Sequence, residues 1–303
     1  MAGQAKAADG WPRDKPIMIV VPFGAGSGSE VNARFYAKAL KETLNANAVV
    51  LSKPGAAGMI GAGFVAKAAP DGYTVLMGSG TANAANYAIY KDSISYKPEQ
   101  LSPVAMLYVS PVVLFTTKDR EGKSVKQFLT GSTGNVNCGS GNTVTEVACE
   151  MIKLRSNADT VTVQYKGTAQ SLLDLVAGRL SVSFADMAAA MPFLSNGSVR
   201  AVAISGNEHL PTLEGVKTFA EQGIPDFDFR SWNGLFVPAG TPPEAIKKLN
   251  KAAQVMLASP EWEQQRKQNS GLKVDPSLEY ARQFVANEIA LWNRYAEETG
   301  IKK

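Results

Sequence analysis

Short apolar runs alternate with amphipathic segments along most of this chain. Residues 17–22 form a fully apolar run, which is typical of a strand buried on both faces of a parallel sheet. Apolar side chains then recur with helical spacing at positions 31, 35 and 39, and at 36, 40 and 44. Residues 48–51 and 73–77 predict two more strands, with a helix of small residues over 62–69 between them. This alternation predicts an α/β protein with a parallel sheet.

The second half of the chain repeats the alternation loosely. Further strands are predicted at 112–116, 135–138, 161–165, 181–184, 199–204 and 234–237, and further helices at 124–129, 143–155 and 168–177. The C-terminal region is predicted to be helical, because Val285, Ile289 and Trp292 share one face. The 303 residues suffice for two medium domains or one large domain, and no repeat or low-complexity linker marks a boundary.

Two glycine-rich turns each connect a predicted buried strand to a helix. The first covers residues 24–29 (Gly-Ala-Gly-Ser-Gly-Ser) and the second covers residues 54–61 (Pro-Gly-Ala-Ala-Gly-Met-Ile-Gly). A helix N-terminus offers free backbone N–H groups and a partial positive charge, so it binds anions without a charged side chain. Glycine lets the backbone approach a ligand closely. Two such turns at neighbouring strand ends predict one anion site at the edge of the sheet.

A nucleotide-binding enzyme is the alternative interpretation of these turns. The first turn begins like a dinucleotide fingerprint, but Ser29 stands at its third glycine position, and Ser52-Lys53 stands where an acidic residue would bind the ribose. The only histidine, His209, lies in a polar loop, so a Ser-His-Asp triad would depend wholly on that residue. These features favour a binding protein over an α/β enzyme that holds a phosphate or nucleotide at its glycine-rich loops.

Polar side chains that follow predicted strands are candidate ligand contacts. They are Ser79, Thr81, Asn83, Thr143, Thr145, Tyr165 and Asp186. Each has a structural alternative. Thr143 or Thr145 is also suited to be a helix N-cap, Tyr165 to be a core aromatic residue, and Asp186 to be a surface acid.

Composition and charge bear on the partners and the location of the chain. The net charge is +4, and the 31 basic residues are scattered rather than arranged in the stripe that nucleic-acid binding requires. No apolar stretch approaches the roughly 20 residues of a membrane span. The N-terminus carries no complete secretory signal, although Ala5-Lys6-Ala7 resembles a cleavage region as much as an ordinary tail. We therefore expect no nucleic-acid partner, and the cleavage-region interpretation implies an exported chain whose signal peptide is absent.

The cysteines exclude one kind of metal site. The chain has two of them, Cys138 and Cys149, and neither a CxxC motif nor a Cys/His cluster, so no zinc site or other metal site is expected. The pair is 11 residues apart and is able to form a disulfide in an oxidising compartment. The sequence favours two independent thiols, at least one of them buried.

Taken in order along the chain, several sequence blocks resemble the Bug receptors, the substrate-binding proteins of tripartite tricarboxylate transporters. The blocks are Val21-Pro22-Phe23-Gly24-Ala25-Gly26, Lys53-Pro54-Gly55-Ala56-Ala57-Gly58, Ala69-Pro70-Asp71-Gly72-Tyr73-Thr74, Val163-Gln164-Tyr165-Lys166-Gly167, Asp174-Leu175-Val176-Ala177-Gly178 and Trp232-Asn233-Gly234-Leu235-Phe236-Val237-Pro238. The resemblance extends from Trp11 to Ile301, which is nearly the whole chain.

The resemblance implies a two-lobed α/β fold of the periplasmic-binding-protein type (type II-like), with crossing hinge strands and a central ligand cleft. Lobe 1 would comprise residues 11–115 plus 235–303, and lobe 2 residues 116–234. In such receptors the loops that match 23–29 and 56–61 hold one carboxylate through backbone amides and bridging water. The resemblance also implies a periplasmic monomer without cofactor, which delivers a small organic carboxylate to the membrane subunits of a tripartite tricarboxylate transporter by hinge closure.

The candidate ligand contacts come from the glycine-rich turns, the polar residues after strands and the resemblance to Bug receptors. They are Phe23, Gly26, Ser27, Ser29, Gly58, Met59, Ile60, Ser79, Thr81, Asn83, Thr143, Thr145, Glu146, Tyr165 and Asp186. Glu146 stands where relatives often carry histidine, and an ionised Glu146 facing the cleft would repel a second ligand carboxylate. That would favour a ligand with a hydrogen-bond donor, an amine or a ring nitrogen at its far end. The alternative is that Glu146 only satisfies N–H groups at the start of its helix.

Overall fold

The computed structural model describes residues 10–24, 26–120, 124–130, 136–156 and 158–303, so the expectations for residues 1–9, Ala25 and Asn135 lie outside the described residues. The strands are β1 (Ile17–Val21), β2 (Ala48–Ser52), β3 (Thr74–Ser79), β4 (Leu101–Thr117), β5 (Val136–Ser140), β6 (Thr160–Gln164), β7 (Val182–Asp186), β8 (Val199–Ile204) and β9 (Arg230–Pro238). The helices are α1 (Gly28–Leu44), α2 (Met59–Ala66), α3 (Asn86–Ile89), α4 (Val125–Thr130), α5 (Thr143–Ser156), α6 (Thr168–Val176), α7 (Met187–Ser195), α8 (Pro243–Ala258), α9 (Pro260–Gln268) and α10 (Leu278–Thr299).

The strands form one mixed sheet rather than the parallel sheet that the sequence predicts. Their order is β2-β1-β3-β9-β4-β7-β5-β6, and β8 also pairs with β4. The pairs β1–β2, β1–β3, β5–β6 and β5–β7 are parallel. Strand β9 is antiparallel to β3 and β4, and β4 is antiparallel to β7 and β8. The prediction of parallel strands therefore holds within each outer group and is wrong for the strands that connect them.

Strand β4 joins the two groups of strands. Its first part, from Leu101 to Pro111, pairs with β9, and its second part, from Val112 onward, pairs with β7 and β8. Nearly all of its residues are buried. The apolar pattern predicts only residues 112–116 of this strand, because Pro103 and Pro111 interrupt the apolar run and normally argue against an interior strand.

Helix α10 contacts elements on both sides of the point where β4 changes partners. It packs against β4, α3 and α5. Tyr295 of α10 stacks on Phe229, with ring centroids 4.7 Å apart, and Glu298 forms an ion pair with Arg155 of α5 at 2.8 Å. The helix ends at Gly300, which adopts a left-handed conformation (φ 67°). This position of α10 brings the residues that follow it to the ends of α3 and α5.

A disulfide joins Cys138 of β5 to Cys149 of α5, and both residues are fully buried. The sequence-based preference for independent thiols is therefore wrong. The chain turns back after β5, so that the second turn of α5 lies over the strand it follows and the two Cα atoms are 5.9 Å apart.

Removing this disulfide should destabilise the protein without changing its fold. A Cys138→Ala/Cys149→Ala variant should lose about 3 kcal/mol of unfolding free energy, because the bridge closes a loop of about 11 residues in the unfolded chain. Urea unfolding measures this difference, and wild-type protein unfolded in the presence of a reductant is the matched control. Two reactive thiols in the unfolded, unreduced wild type would contradict the assignment.

Candidate functional site

A cavity of about 530 Å³ lies where the loops of the two outer groups of strands meet. Its lining comprises Pro22, Phe23, Gly24, Pro54, Gly55, Ala56, Ala57, Gly58, Thr81, Tyr90, Ser140, Gly141, Asn142, Thr143, Glu146, Gln164, Tyr165, Lys166 and Lys303. Most of these residues directly follow β1, β2, β5 or β6. The cavity thus lies at the carboxyl ends of parallel strands, which is the usual place for ligands in α/β sheets.

The loop between β2 and α2 has an unusual backbone. Residues Gly55, Ala56, Ala57 and Gly58 have φ values of 127°, 46°, 51° and 88°, so two alanines lie in the left-handed region. That conformation costs a non-glycine residue about 1–2 kcal/mol and tends to occur at ligand sites. No acceptor among the described residues bonds the N–H groups of Ala56 and Ala57. Successive free N–H groups in such turns form an anion-binding concavity.

The N–H groups first expected to bind an anion are already engaged within the protein. The N–H of Gly26 donates to Oε2 of Glu30 at 2.6 Å, and that of Ser27 donates to the Gly24 carbonyl at 3.3 Å. The N–H of Gly58 donates to the Gly55 carbonyl at 3.0 Å, and that of Met59 donates to the Ala56 carbonyl. Ala56 and Ala57, just upstream of α2, by contrast have N–H groups without an acceptor among the described residues.

A chain of hydrogen bonds connects this loop to the start of α5. The Asn86 side chain donates through Nδ2 to the Ala57 carbonyl at 2.9 Å and accepts through Oδ1 from Oγ1 of Thr143 at 3.1 Å. Asn86 and Thr143 are both buried. Because these bonds fix the Ala57 peptide, they support the strained conformation of the loop.

The start of α5 is capped by Asn142, which is not among the predicted contacts. Its Oδ1 accepts from the N–H of Thr145 at 3.0 Å. In return, Oγ1 of Thr145 accepts from the N–H groups of Gly141 and Asn142 at 3.0 and 3.1 Å. Thr145 therefore stabilises the turn before α5 and lies outside the cavity lining, whereas Thr143 is part of that lining.

Glu146 lies on the cavity wall and is engaged on both carboxylate oxygens. Lys303 forms an ion pair with it, with Nζ 2.7 Å from Oε1 and 2.8 Å from Oε2. The side-chain amide of Gln164 also donates to Oε1. Neither of the two interpretations of Glu146 from sequence included a cationic partner.

Tyr165 and Lys166 form the wall contributed by the loop after β6. The hydroxyl of Tyr165 donates to Oδ2 of Asp174 at 2.8 Å, and Asp174 also pairs with Arg179 at 2.6 Å. The hydrogen bond from Tyr165, together with Arg179, lowers the pKa of Asp174. Lys166 is exposed and has no ion pair among the described residues.

The structure brings six of the predicted contacts into the lining, namely Phe23, Gly58, Thr81, Thr143, Glu146 and Tyr165. The other nine lie outside it, namely Gly26, Ser27, Ser29, Met59, Ile60, Ser79, Asn83, Thr145 and Asp186.

Local structure explains most of these positions. Ser27 and Asp186 are N-caps of α1 and α7, and burial raises the pKa of Asp186. Ser79 and Asn83 bond within their own turn, through the Ser79 N–H and Oδ1 of Asn83 at 3.1 Å. Ile60 points into solvent, with 56% of its surface exposed.

Two further residues outside the lining have partners in the interior. The hydroxyl of Ser29 accepts from the Asn233 side chain at 3.0 Å, and Met59 packs against the core. His209, the only histidine, is exposed, pairs with Glu221 at 3.2 Å and lies outside the lining.

Several lining residues are not among the contacts that the sequence predicts. Asn142 carries a recognisable signal, because asparagine directly before a helix is a favoured N-cap. Gln164, Tyr90 and Lys303 carry none, since their place in the cavity depends on how distant elements pack.

Solved structures first define the class of protein. The periplasmic binding protein BugD superposes with a TM-score of 0.85 at 25% identity, over 96% of this chain and 99% of that chain. Rpa4515 of R. palustris, solved with adipate, gives 0.87 at 28% identity, over 96% and 99% of the two chains. MatC from Rhodopseudomonas palustris, with bound malate, gives 0.84 at 29% identity, over 92% and 98%. The fold is therefore that of a periplasmic binding protein, as the sequence resemblance implies.

Sequence comparison then gives the family. Residues 32–301 match the family described as tripartite tricarboxylate transporter family receptor, and this chain belongs to it. Protein BugT of Bordetella pertussis is 31% identical over 302 residues, which is 98% of this chain and 92% of BugT. The resemblance to Bug receptors is thereby confirmed. Among the described residues, no helix is long and apolar enough to cross a membrane.

Proposed function

We propose that this protein is a receptor that captures a small organic carboxylate outside the cytoplasm and delivers it to the membrane subunits of a tripartite tricarboxylate transporter. The observation that carries this proposal is the pair of free N–H groups at Ala56 and Ala57, two residues that line a cavity of about 530 Å³. The charged lining residues are Glu146, Lys166 and Lys303, so the lining is net positive and suits an anion. Two related structures hold an organic carboxylate, adipate in one and malate in the other.

The same proposal divides the chain into two lobes around the cavity. Lobe 1, with residues 11–115 plus 235–303, supplies the glycine-rich loops, and lobe 2, with residues 116–234, supplies the side chains from α5 and β6. The change of partners along β4, between Pro111 and Val112, supports a boundary close to the proposed one. Hinge closure would then complete the site from two halves.

The remaining parts of the proposal concern location and chemistry. The protein acts in the periplasm as a monomer, without cofactor and without catalysing a reaction. Membership of a receptor family supports this interpretation over that of an α/β enzyme. The buried disulfide supports an oxidising compartment.

A thermal-shift panel tests the proposal against the enzyme alternative. Carboxylates of four to six carbons and aromatic acids form one set, and nucleotides with inorganic phosphate form the other. Because a ligand stabilises the state it binds by RT ln(1 + [L]/Kd), a carboxylate at about 100 times its Kd should add about 2.7 kcal/mol. Stabilisation by a nucleotide and by no carboxylate would overturn the proposal.

A further inference from the structure

The ion pair between Glu146 and Lys303 lies inside the proposed ligand cavity rather than on the outer surface. Both residues belong to the lining, and the side chains of Glu146 and Lys303 are 12% and 30% exposed. The ammonium of Lys303 contacts both carboxylate oxygens, at 2.7 and 2.8 Å. A pair so placed presents one anionic and one cationic group, side by side, to whatever enters the cavity.

Separate parts of the fold hold the two members of the pair. The backbone N–H of Lys303 donates to the Ile89 carbonyl of α3 at 2.8 Å, which anchors the residue on the lobe 1 side. Glu146 is fixed on α5, and Gln164 at the end of β6 holds one of its oxygens. The packing of α3, α5 and β6 therefore brings the two residues together in the cavity wall.

The net charge of this pair is zero, which decides what it accepts. A second ligand carboxylate would have to compete with Glu146 for the ammonium while lying close to a like charge. An amine would meet the same difficulty with Lys303. A neutral group that both donates and accepts hydrogen bonds complements the two members together, because its donor meets Glu146 and its acceptor meets Lys303.

We propose that the Glu146–Lys303 pair makes the far end of the cavity selective for a neutral hydrogen-bonding group such as a carboxamide or a hydroxyl. The ligand is then a monocarboxylate that carries such a group at its other end. This proposal rests on the proposed function, in which the first carboxylate lies at Ala56 and Ala57. It also narrows the expectation of a hydrogen-bond donor, an amine or a ring nitrogen at the far end, because Lys303 already neutralises the charge of Glu146.

Isothermal titration with matched ligands tests the proposal. The probes are the dicarboxylates succinate, glutarate and adipate, their monoamides, and the ω-amino acids of the same chain length. The wild type should bind one of the monoamides at least about tenfold more tightly than the dicarboxylate or amino acid of equal length. Glu146→Gln, which leaves Lys303 uncompensated, should shift the preference to the dicarboxylate by about tenfold or more. Lys303→Met should shift it to the amino acid by a similar factor.

The double variant Glu146→Gln/Lys303→Met and a neighbouring lysine provide the controls. The double variant should lose the preference for either charged end group. Lys166→Met removes an exposed cation from the same lining. It should weaken the binding of all carboxylates by one common factor, which is smaller than the shifts expected for Glu146→Gln and Lys303→Met. Circular dichroism establishes that each variant is folded, and Lys303→Gln replaces Lys303→Met if the latter is not.

The outcomes separate this inference from the proposed function. If carboxylates bind but both single variants change all three ligand sets equally, or change none, the pair is structural only and the inference is wrong. A shift in dicarboxylate preference that follows Lys166 instead of Lys303 would also overturn it. If no carboxylate binds to the wild type or to any variant, the proposed function fails as well.

Discussion

We expect Gly141→Ala to lower the unfolding free energy by about 3 kcal/mol and to abolish ligand binding. A Cβ atom at Gly141 would lie 2.1 Å from the backbone nitrogen of Thr168 and 2.4 Å from the carbonyl carbon of Gly167. These are backbone atoms of the facing loop, so no side-chain rotation relieves the overlap. Since the loops after β5 and β6 both line the cavity, separating them would also displace residues of the proposed site.

Gly167→Ala is the matched control for this substitution. Gly167 faces Gly141 across the same contact, but a Cβ there meets nothing within 4 Å, and its φ of −175° is ordinary extended backbone. That variant should change stability by less than about 1 kcal/mol. Urea unfolding and titration with the monoamide series measure both effects. Equal losses in the two variants would show that the Gly141 contact has no special importance.

Converting the ligand carboxylate to its methyl ester should weaken binding by about a hundredfold or more, since charge-assisted hydrogen bonds are roughly twice as strong as neutral ones. Succinamate, glutaramate and adipamate are the acids to compare with their esters. The ester lacks the negative charge that suits the N–H groups of Ala56 and Ala57, and its methyl group enlarges the oxygen that must fit there. Isothermal titration gives the ratio directly.

Changing the opposite end of the same ligands provides the comparison. An N-methyl amide retains a donor and an acceptor, so it should bind more tightly than the methyl ester of the same acid. Acid and ester of equal affinity would mean that the loop at residues 55–58 does not hold a carboxylate. In that case the strained alanines would require another explanation.

The sequence predicts elements well where the apolar pattern is regular. The buried runs at β1, β3 and β8 and the apolar face of α1 lie close to the predicted positions. Only part of strand β4 is predicted, because its prolines normally indicate the end of a strand. Its burial comes from neighbouring elements on both faces. The direction of a strand cannot be predicted from its sequence either, since the residues of β9 do not indicate that it runs antiparallel to β3.

The loops that form the candidate site could be predicted from the sequence, but the free N–H groups and the ion pair in it could not. Both glycine-rich loops supply lining residues, as the helix-terminus argument predicts. Which N–H groups are free depends on Ala56 and Ala57 in a conformation that alanine rarely adopts, which composition does not indicate. Lys303 lies 157 residues from Glu146 along the chain, and only the packing of α10 brings the two together.

The pairing of strand β4 also limits where a fluorescent protein can be inserted to turn this receptor into a sensor. Because residues 101–117 hydrogen-bond to β9 on one side of the crossing and to β7 and β8 on the other, a chain split inside β4 leaves two unpaired sheet edges that invite aggregation. A fluorescent protein should instead be inserted at Asn196, which is exposed, beside Gly197 with open space around it. That turn lies between α7 and β8, so the insertion spares both the sheet crossing and the cavity lining.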